Sequence, residues 1–197
     1  MDRNQKILLI ASLLTIGFIG ISIWKRKEIA SLAAKVRNYV FDKLIEMELS
    51  QLHPKAQPYF REFVKRVQNL GWTVYITSGY RDAAKQTDIR EQGSDFAVRP
   101  GNSYHNFGMA IDINLYRGNW QDHIKMESGK EVWEATGVPA IARELGIRWG
   151  GDFVGKESGD FVHFDKPLKP MAELQQLAKN QFGNNVLTWK GNEIKLT

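Results

Sequence analysis

Ile7 to Trp24 reads ILLIASLLTIGFIGISIW, 18 residues without a charge. At helical rise such a run spans about 27 Å, close to the hydrocarbon core of a bilayer. It therefore divides the chain, because a compact water-soluble domain has little use for an uninterrupted apolar stretch of that length. Trp24 stands where an interfacial aromatic is favoured. Arg3 and Lys6 precede the run, and Lys25, Arg26 and Lys27 follow at once. Three basic residues there, in place of a small-residue cleavage site, favour a retained anchor over a removed signal peptide; Ser31–Ala34 (SLAA) is the late alternative. The more basic flank lies after the segment, which by the positive-inside rule puts the following domain on the cytoplasmic side. A substrate outside the membrane would demand the opposite. Ser12, Thr15, Gly17, Gly20 and Ser22 dilute the run and make it a weak anchor that could be released or inverted.

The remainder has room for one domain with modest appendages, in a chain of 197 residues. With 43% apolar and 25% charged residues, wholesale disorder is excluded. There is no cysteine, so disulfides, thiolate metal sites and thiol catalysis are excluded, and any metal must be held by Asp, Glu or the four His. The net charge of +5 suits an anionic partner of some kind. The basic residues are dispersed or sit beside the membrane segment, with no interleaved aromatic–basic motif, which argues against nucleic acid.

Ile29, Leu32, Ala33, Val36, Val40, Leu44 and Met47 recur at spacings of three and four and predict an amphipathic helix from Glu28 to about Leu52. After Pro54 and Pro58 a second helix runs to Gly71. Thr73–Thr77 (TVYIT), Met109–Leu115 (MAIDINL) and Phe161–Phe164 predict strands. Helices are expected over 82–92, 132–145 and 171–182, a polar loop over 119–125, and a hairpin over 186–196 turning at Lys190–Gly191–Asn192. Helices mix with short strands without a βαβ rhythm, so the expected class is α+β with a small antiparallel sheet. The expected division is a membrane anchor over 1–27, a linker helix over 28–50, a catalytic domain over 51–170 and a C-terminal helix and hairpin over 171–197.

Chemistry concentrates in three places. In Ser103-Tyr-His-Asn-Phe-Gly-Met-Ala-Ile-Asp112, His105 and Asp112 are ligands suited to a borderline cation such as zinc. Asp112 sits mid-strand between Ile111 and Ile113, where a carboxylate is costly unless a cation or donor meets it; the plain alternative is a capping Asp and a surface His. Asp160-Phe-Val-His163 adds a third nitrogen ligand with a carboxylate three residues earlier, a natural general base. Asp152 and Asp165 compete for that role. Ser78-Gly-Tyr-Arg81-Asp82 places an Arg at a strand end, able to face a carboxylate or a developing oxyanion, or merely to pair with Asp82.

Ser78-Gly-Tyr-Arg81, the Ser103–Asp112 block, Trp149-Gly-Gly-Asp152-Phe153 and Asp160-x-x-His163-Phe164 occur in an order and at spacings that resemble the LAS zinc peptidases, the M15 peptidase family, and above all its L-alanyl-D-glutamate endopeptidase branch of phage endolysins and bacterial wall hydrolases. The resemblance covers about residues 45–170. It implies that His105, Asp112 and His163 ligate one zinc ion, that Asp160 is the catalytic base, and that Arg81 stabilises the oxyanion. It further implies that Ser103, Tyr104, Trp149 and Asp152 support the site or contact the substrate. The implied substrate is the peptidoglycan stem peptide, cut between L-Ala and D-Glu. The N-terminal apolar segment with its linker helix and the tail from about Met171 depart from the family; the apolar run makes the expected protein single-pass, held in the lipid bilayer through residues 7–24, and a wall substrate would place its domain on the wall side. Alternatives are a D-alanyl-D-alanine carboxypeptidase or dipeptidase of the same family, and a non-catalytic wall-binding module. His53 is expected at a helix end, His123 in an exposed loop, Trp72, Trp120 and Trp133 in the core or a groove wall, and Trp189 with Lys190 on the tail hairpin.

Overall fold

The computed structural model describes residues 26–93, 98–117, 122–155 and 158–196. Two compact units divide the chain, 1–42 and Lys43–Thr197. The described part of the first unit is helical and belongs to α1, Arg26–Ser50. Among the described residues no helix is long and apolar enough to cross a membrane. The segment expected to do so, 7–24, lies outside the described residues.

Within the second unit, the predicted apolar stripe of α1 is displaced. Met47 is 56% exposed, whereas Ile45, Leu49 and, just after the helix, Leu52 are buried. The i, i+4, i+7 spacing of these three carries the packed face. Helix α2, Gln57–Asn69, starts with Pro58 near its N-terminus, where no intrahelical N–H is required, and buries Phe60, Phe63, Val64 and Val67. Strand β1 is Thr73–Ser78. Helix α3, Ala83–Glu91, is capped by Asp82, whose carboxylate accepts from the Lys85 N–H at 2.8 Å. A 3-10 turn at Tyr104–Phe107 leads into β2, Ala110–Arg117.

Strand β3 (Asp122–Ile124) is followed by α4 (Lys130–Ala135), α5 (Val138–Glu144), β4 (Arg148–Trp149), β5 (His163–Asp165) and α6 (Met171–Phe182). The expected single helix over 132–145 is thus two. Gly137 takes a left-handed φ of 77°, Pro139 stands in the first turn of α5, and the Thr136 hydroxyl accepts from the Val138 N–H at 3.1 Å.

Among the described residues the strands form one antiparallel sheet in the order β1-β2-β5-β4, with β3 paired to the far end of β2. Strand β2 organises it. One edge carries β1, with Val74 opposite Leu115 and Ile76 opposite Ile113; the other carries β5 at one end and β3 at the other. Alternation sends Ile111, Ile113 and Leu115 into the core. Phe164, beside Ile111, meets Phe63 at 5.0 Å and Trp133 at 6.0 Å between ring centroids. The opposite face carries Asp112, Asn114 and Tyr116.

Two further expectations are corrected, and a third, His53 at a helix end, is extended. The loop at 119–125 contains β3, and His123 stacks on Tyr116 at 4.3 Å. His53 is buried, bonded to the Ile194 carbonyl at 2.9 Å. No hairpin forms over 186–196: the tail makes 3-10 turns at Val186–Thr188 and Gly191–Glu193. Side chains pin it instead of a ladder. The Trp189 indole donates to the Gly183 carbonyl at 2.8 Å, and Gly191 packs so tightly on the turn before β2 that a Cβ there would lie 1.9 Å from the Asn106 oxygen.

Candidate active site

The polar face of the sheet builds the site by cross-strand pairing. Asp112 on β2 lies directly opposite His163 on β5 and opposite Ser78 on β1. Residues so paired share a face. Between Ile76 and Ser78 the register slips, leaving Thr77 as a bulge whose hydroxyl donates to the Asp112 carbonyl at 3.1 Å. His105 arrives from the 3-10 turn. The Ser103 hydroxyl accepts from the His105 N–H at 3.3 Å, and Gly108 ends the turn in a left-handed φ of 63°. A Cβ on Gly108 would also lie 2.5 Å from the His53 nitrogen, so both conformation and space require glycine.

His105 Nε2 lies 3.1 Å from Asp112 Oδ1 and 3.2 Å from His163 Nδ1, and His163 Nδ1 lies 3.0 Å from the same carboxylate oxygen. The opposite ring nitrogens set the tautomers. His105 Nδ1 donates to the Gly79 carbonyl at 2.7 Å, and His163 Nε2 donates to Asp165 at 3.3 Å. With those protons committed outward, two imidazole lone pairs and a carboxylate converge on one point. Three acceptors facing one another require a cation, and this donor set fits zinc, with three protein ligands and one position left for water or substrate.

Ionisation follows the same geometry. Burial favours neutral Asp112, but His105 and His163 outweigh it and hold the carboxyl well below the usual range. Burial pushes His105 down, against the pull of Asp112. Burial likewise opposes the charge on His163, yet hydrogen bonds to Asp112 and Asp165 raise it to about 10. In the metal-free chain a proton on His163 thus does the cation's work.

Arg81 does not pair with Asp82, which is engaged as the cap of α3. Its backbone is stitched to the His105 turn: its N–H donates to the His105 carbonyl at 3.1 Å, and the Asn106 amide donates to its carbonyl at 2.9 Å. The guanidinium reaches Asp112 at 3.8 Å, and its buried Nε has no hydrogen-bond partner. Burial lowers the Arg81 pKa, opposed by the charges of Asp112 and Asp160. Arg81, Asp160 and His163 line a cleft of about 300 Å³ with Ser103, Tyr104, Arg148, Phe153 and Asp165.

Asp160 is held there by its backbone, whose carbonyl accepts from the His163 N–H at 3.1 Å. It rests on Gly150, where a Cβ would fall 2.1 Å from the Asp160 oxygen. The Trp149 indole donates to the Phe161 carbonyl at 2.8 Å, so Trp149 stands behind the loop carrying Asp160. Asp152 is exposed and turned elsewhere, held by Nε and Nη2 of Arg143, each at 2.8 Å.

Two cleft residues escaped the sequence reading. Asp165 was weighed only as a base. In the structure it bonds His163 and accepts two bonds of 2.6 Å from Arg148, its cross-strand partner. His163-x-Asp165 on a strand puts both side chains on one face, and that period of two is the signal that could have found it. Arg148 carried no signal, since its role depends on which strands pair.

The M15 family model described as D-alanyl-D-alanine carboxypeptidase matches residues 97–166. The chain is 32% identical over 127 residues, 59% of its length and 74% of the relative's, to the peptidoglycan L-alanyl-D-glutamate endopeptidase CwlK of Bacillus subtilis (strain 168). Among solved structures it is similar to the L-Ala D-Glu endopeptidase ChiX of Serratia marcescens, with a TM-score of 0.44, 22% identity and coverage of 63% of this chain and 86% of that one. A zinc complex of a mutant of the vancomycin resistance D,D-pentapeptidase VanY matches with a TM-score of 0.45, 19% identity and coverage of 64% and 78%.

Proposed function

The chain belongs to the M15 peptidase family, and from that premise we propose that it is a zinc-dependent peptidoglycan endopeptidase cutting the stem peptide between L-Ala and D-Glu. The observation that carries the proposal is the convergence of His105 Nε2, Asp112 Oδ1 and His163 Nδ1, with both imidazoles oriented from behind to offer lone pairs. The likeness to CwlK supports the choice of bond.

His105, Asp112 and His163 would hold the ion. Bound there, zinc supplies a Lewis acid that makes water more acidic and polarises the scissile carbonyl. Asp160 takes a proton from the attacking water and passes it to the amide nitrogen as the C–N bond breaks, so protons balance over the cycle. Arg81, desolvated beside Asp112, donates to the oxygen on which charge develops. Ser103 fixes the turn that aims His105, Tyr104 lines the cleft, and Trp149 backs the Asp160 loop. Asp152, clamped by Arg143, acts through the scaffold.

The apolar run 7–24 supports a membrane tether; the wall-side placement of the catalytic domain rests on the proposed substrate and runs against the more basic flank after the run.

A second reading, release of terminal D-Ala by a D,D-carboxypeptidase, is favoured by the description of the matched family model. Mass spectrometry of purified peptidoglycan treated with the full chain separates the two. Cleavage at L-Ala–D-Glu leaves peptides with a new N-terminal D-Glu. Free D-Ala without that new terminus would replace the endopeptidase with the carboxypeptidase. A digest without any new product would leave the wall-binding alternative.

A further inference from the structure

His53 is the one buried histidine that the proposed chemistry leaves unused. It is 4% exposed, so its ring has to find its partners within the protein. Nδ1 accepts from the Lys55 N–H at 3.1 Å, which leaves the ring proton on Nε2 for the Ile194 carbonyl at 2.9 Å. Ile194 lies 141 residues further along the chain, in the C-terminal tail. The same residue grips the His105 turn by its backbone: the His53 N–H donates to the carbonyl of Gly108, which ends that turn, at 2.9 Å.

The tail held by His53 lies against this turn. Gly191 meets the Asn106 carbonyl so closely that no side chain fits between them. A Cβ on Gly108 would lie 3.0 Å from that of Asn192, whose amide donates to the Gln51 carbonyl at 2.9 Å. The Trp189 ring stands 6.4 Å from that of Phe107. Asn106 in turn accepts from the Gly101 N–H and donates to the Arg81 carbonyl, each at 2.9 Å. His105 has particular need of such support. Asp112 and His163 are fixed by the ladder between β2 and β5, whereas His105 sits outside the sheet in a four-residue 3-10 turn, whose hydrogen bonds are poorer.

We propose that His53 is a positioning residue for the metal site: its Nε2–H clamps the tail at Ile194, and the clamped tail holds the Asn106–Gly108 backbone that aims His105. The inference rests on the zinc reading of the His105, Asp112 and His163 cluster and goes past it, to residues that touch neither metal nor substrate. His53 and the tail both lie outside 97–166, the span that the family model matches. The Gly79 carbonyl fixes the His105 ring, and the tail fixes the backbone on which that ring is carried.

The test uses the full chain with zinc and with cobalt(II), whose visible absorption bands report the geometry of its ligands. His53→Leu keeps the buried volume but removes the donor to Ile194, whereas His53→Gln keeps a donor nitrogen at nearly the same reach. His53→Leu should lower zinc affinity about 10-fold, measured by chelator competition, and shift the cobalt bands, while His53→Gln stays within about threefold of wild type with unshifted bands. A loss of general stability does not move the bands of the folded cobalt protein, so the spectrum separates positioning from a merely structural role. Gly191→Ala leaves His53 intact and forces the tail off Asn106, and it should show the same shifted bands; a His53→Leu chain that fails to fold leaves this variant to decide. Wild-type affinity and bands in folded His53→Leu, or in Gly191→Ala, would overturn the inference and leave the zinc reading standing. Equal losses in His53→Leu and His53→Gln would also overturn it, because the bond to Ile194 would then not be what positions the site. A wild-type chain that takes up neither metal would sink the zinc reading and this inference with it.

Discussion

The proton on the far nitrogen of each histidine decides what the near nitrogen can do. His105 spends its Nδ1 proton on the Gly79 carbonyl and His163 its Nε2 proton on Asp165. The first contact could not be read from the chain, because its partner is a backbone carbonyl 26 residues away, whereas the second was written in the period of two of His163-x-Asp165. The candidate ligand cluster was legible, since His105, Asp112 and His163 stand in motifs with recognisable order. The pKa of His163, raised to about 10 by Asp112 and Asp165 against burial, means that metal must displace a proton. Apparent zinc affinity, measured by competition with a chromophoric chelator, should therefore rise about tenfold per pH unit between pH 6 and 9; a flat profile would show that His163 is already neutral. Asp165→Asn should weaken zinc binding about 10- to 100-fold, through loss of the outer hydrogen bond that orients His163. Asp160→Asn should keep its zinc and lose about 10²- to 10⁴-fold in kcat, as for a deleted general base.

Strands and turns convert those residues into a site. The strand pattern of MAIDINL was legible from its alternation, and with it the choice of Asp112 as the polar residue facing away from Ile111 and Ile113. The pairing that sets His163 opposite Asp112 was not, nor was the Thr77 bulge beside it, since register belongs to the folded sheet. The helix break at Gly137 was written in Gly-Val-Pro but lost within an apolar period of helical spacing. The tail misled in the same way: Lys190–Gly191–Asn192 looks like a hairpin turn, whereas Gly191 serves close packing against Asn106. Glycine as packing surface also underlies Asp160, the proposed base. Gly150→Ala would push a methyl into the Asp160 backbone. Zinc content of that variant should stay at wild-type level while kcat falls about 100-fold, the scale of a misplaced base; full activity would mean that the Asp160 loop tolerates displacement.

At the scale of the molecule, the α+β class was foreseen because helical and alternating periods were mixed without a βαβ rhythm. The division at Asp42 and Lys43 falls inside α1, which no break in the sequence announces. The candidate metal site joins the 105–112 turn and strand to β5, so zinc bound there would act on stability as well as chemistry. In the metal-free chain the His163 pKa of about 10 lies above the ordinary histidine value of 6.5. Its contribution to stability is complete below about pH 6.5 and is lost as pH rises toward 10. The Tm of chelator-treated protein should fall across that window. The zinc-loaded chain carries no proton there to lose and should not follow it. The decisive measurement is activity against metal content. Full-length protein stripped by a chelator should release no peptide from purified peptidoglycan, and stepwise addition of zinc should restore cleavage linearly up to one ion per chain. Cleavage that persists in the stripped protein, or that His163→Ala leaves untouched, would contradict the account.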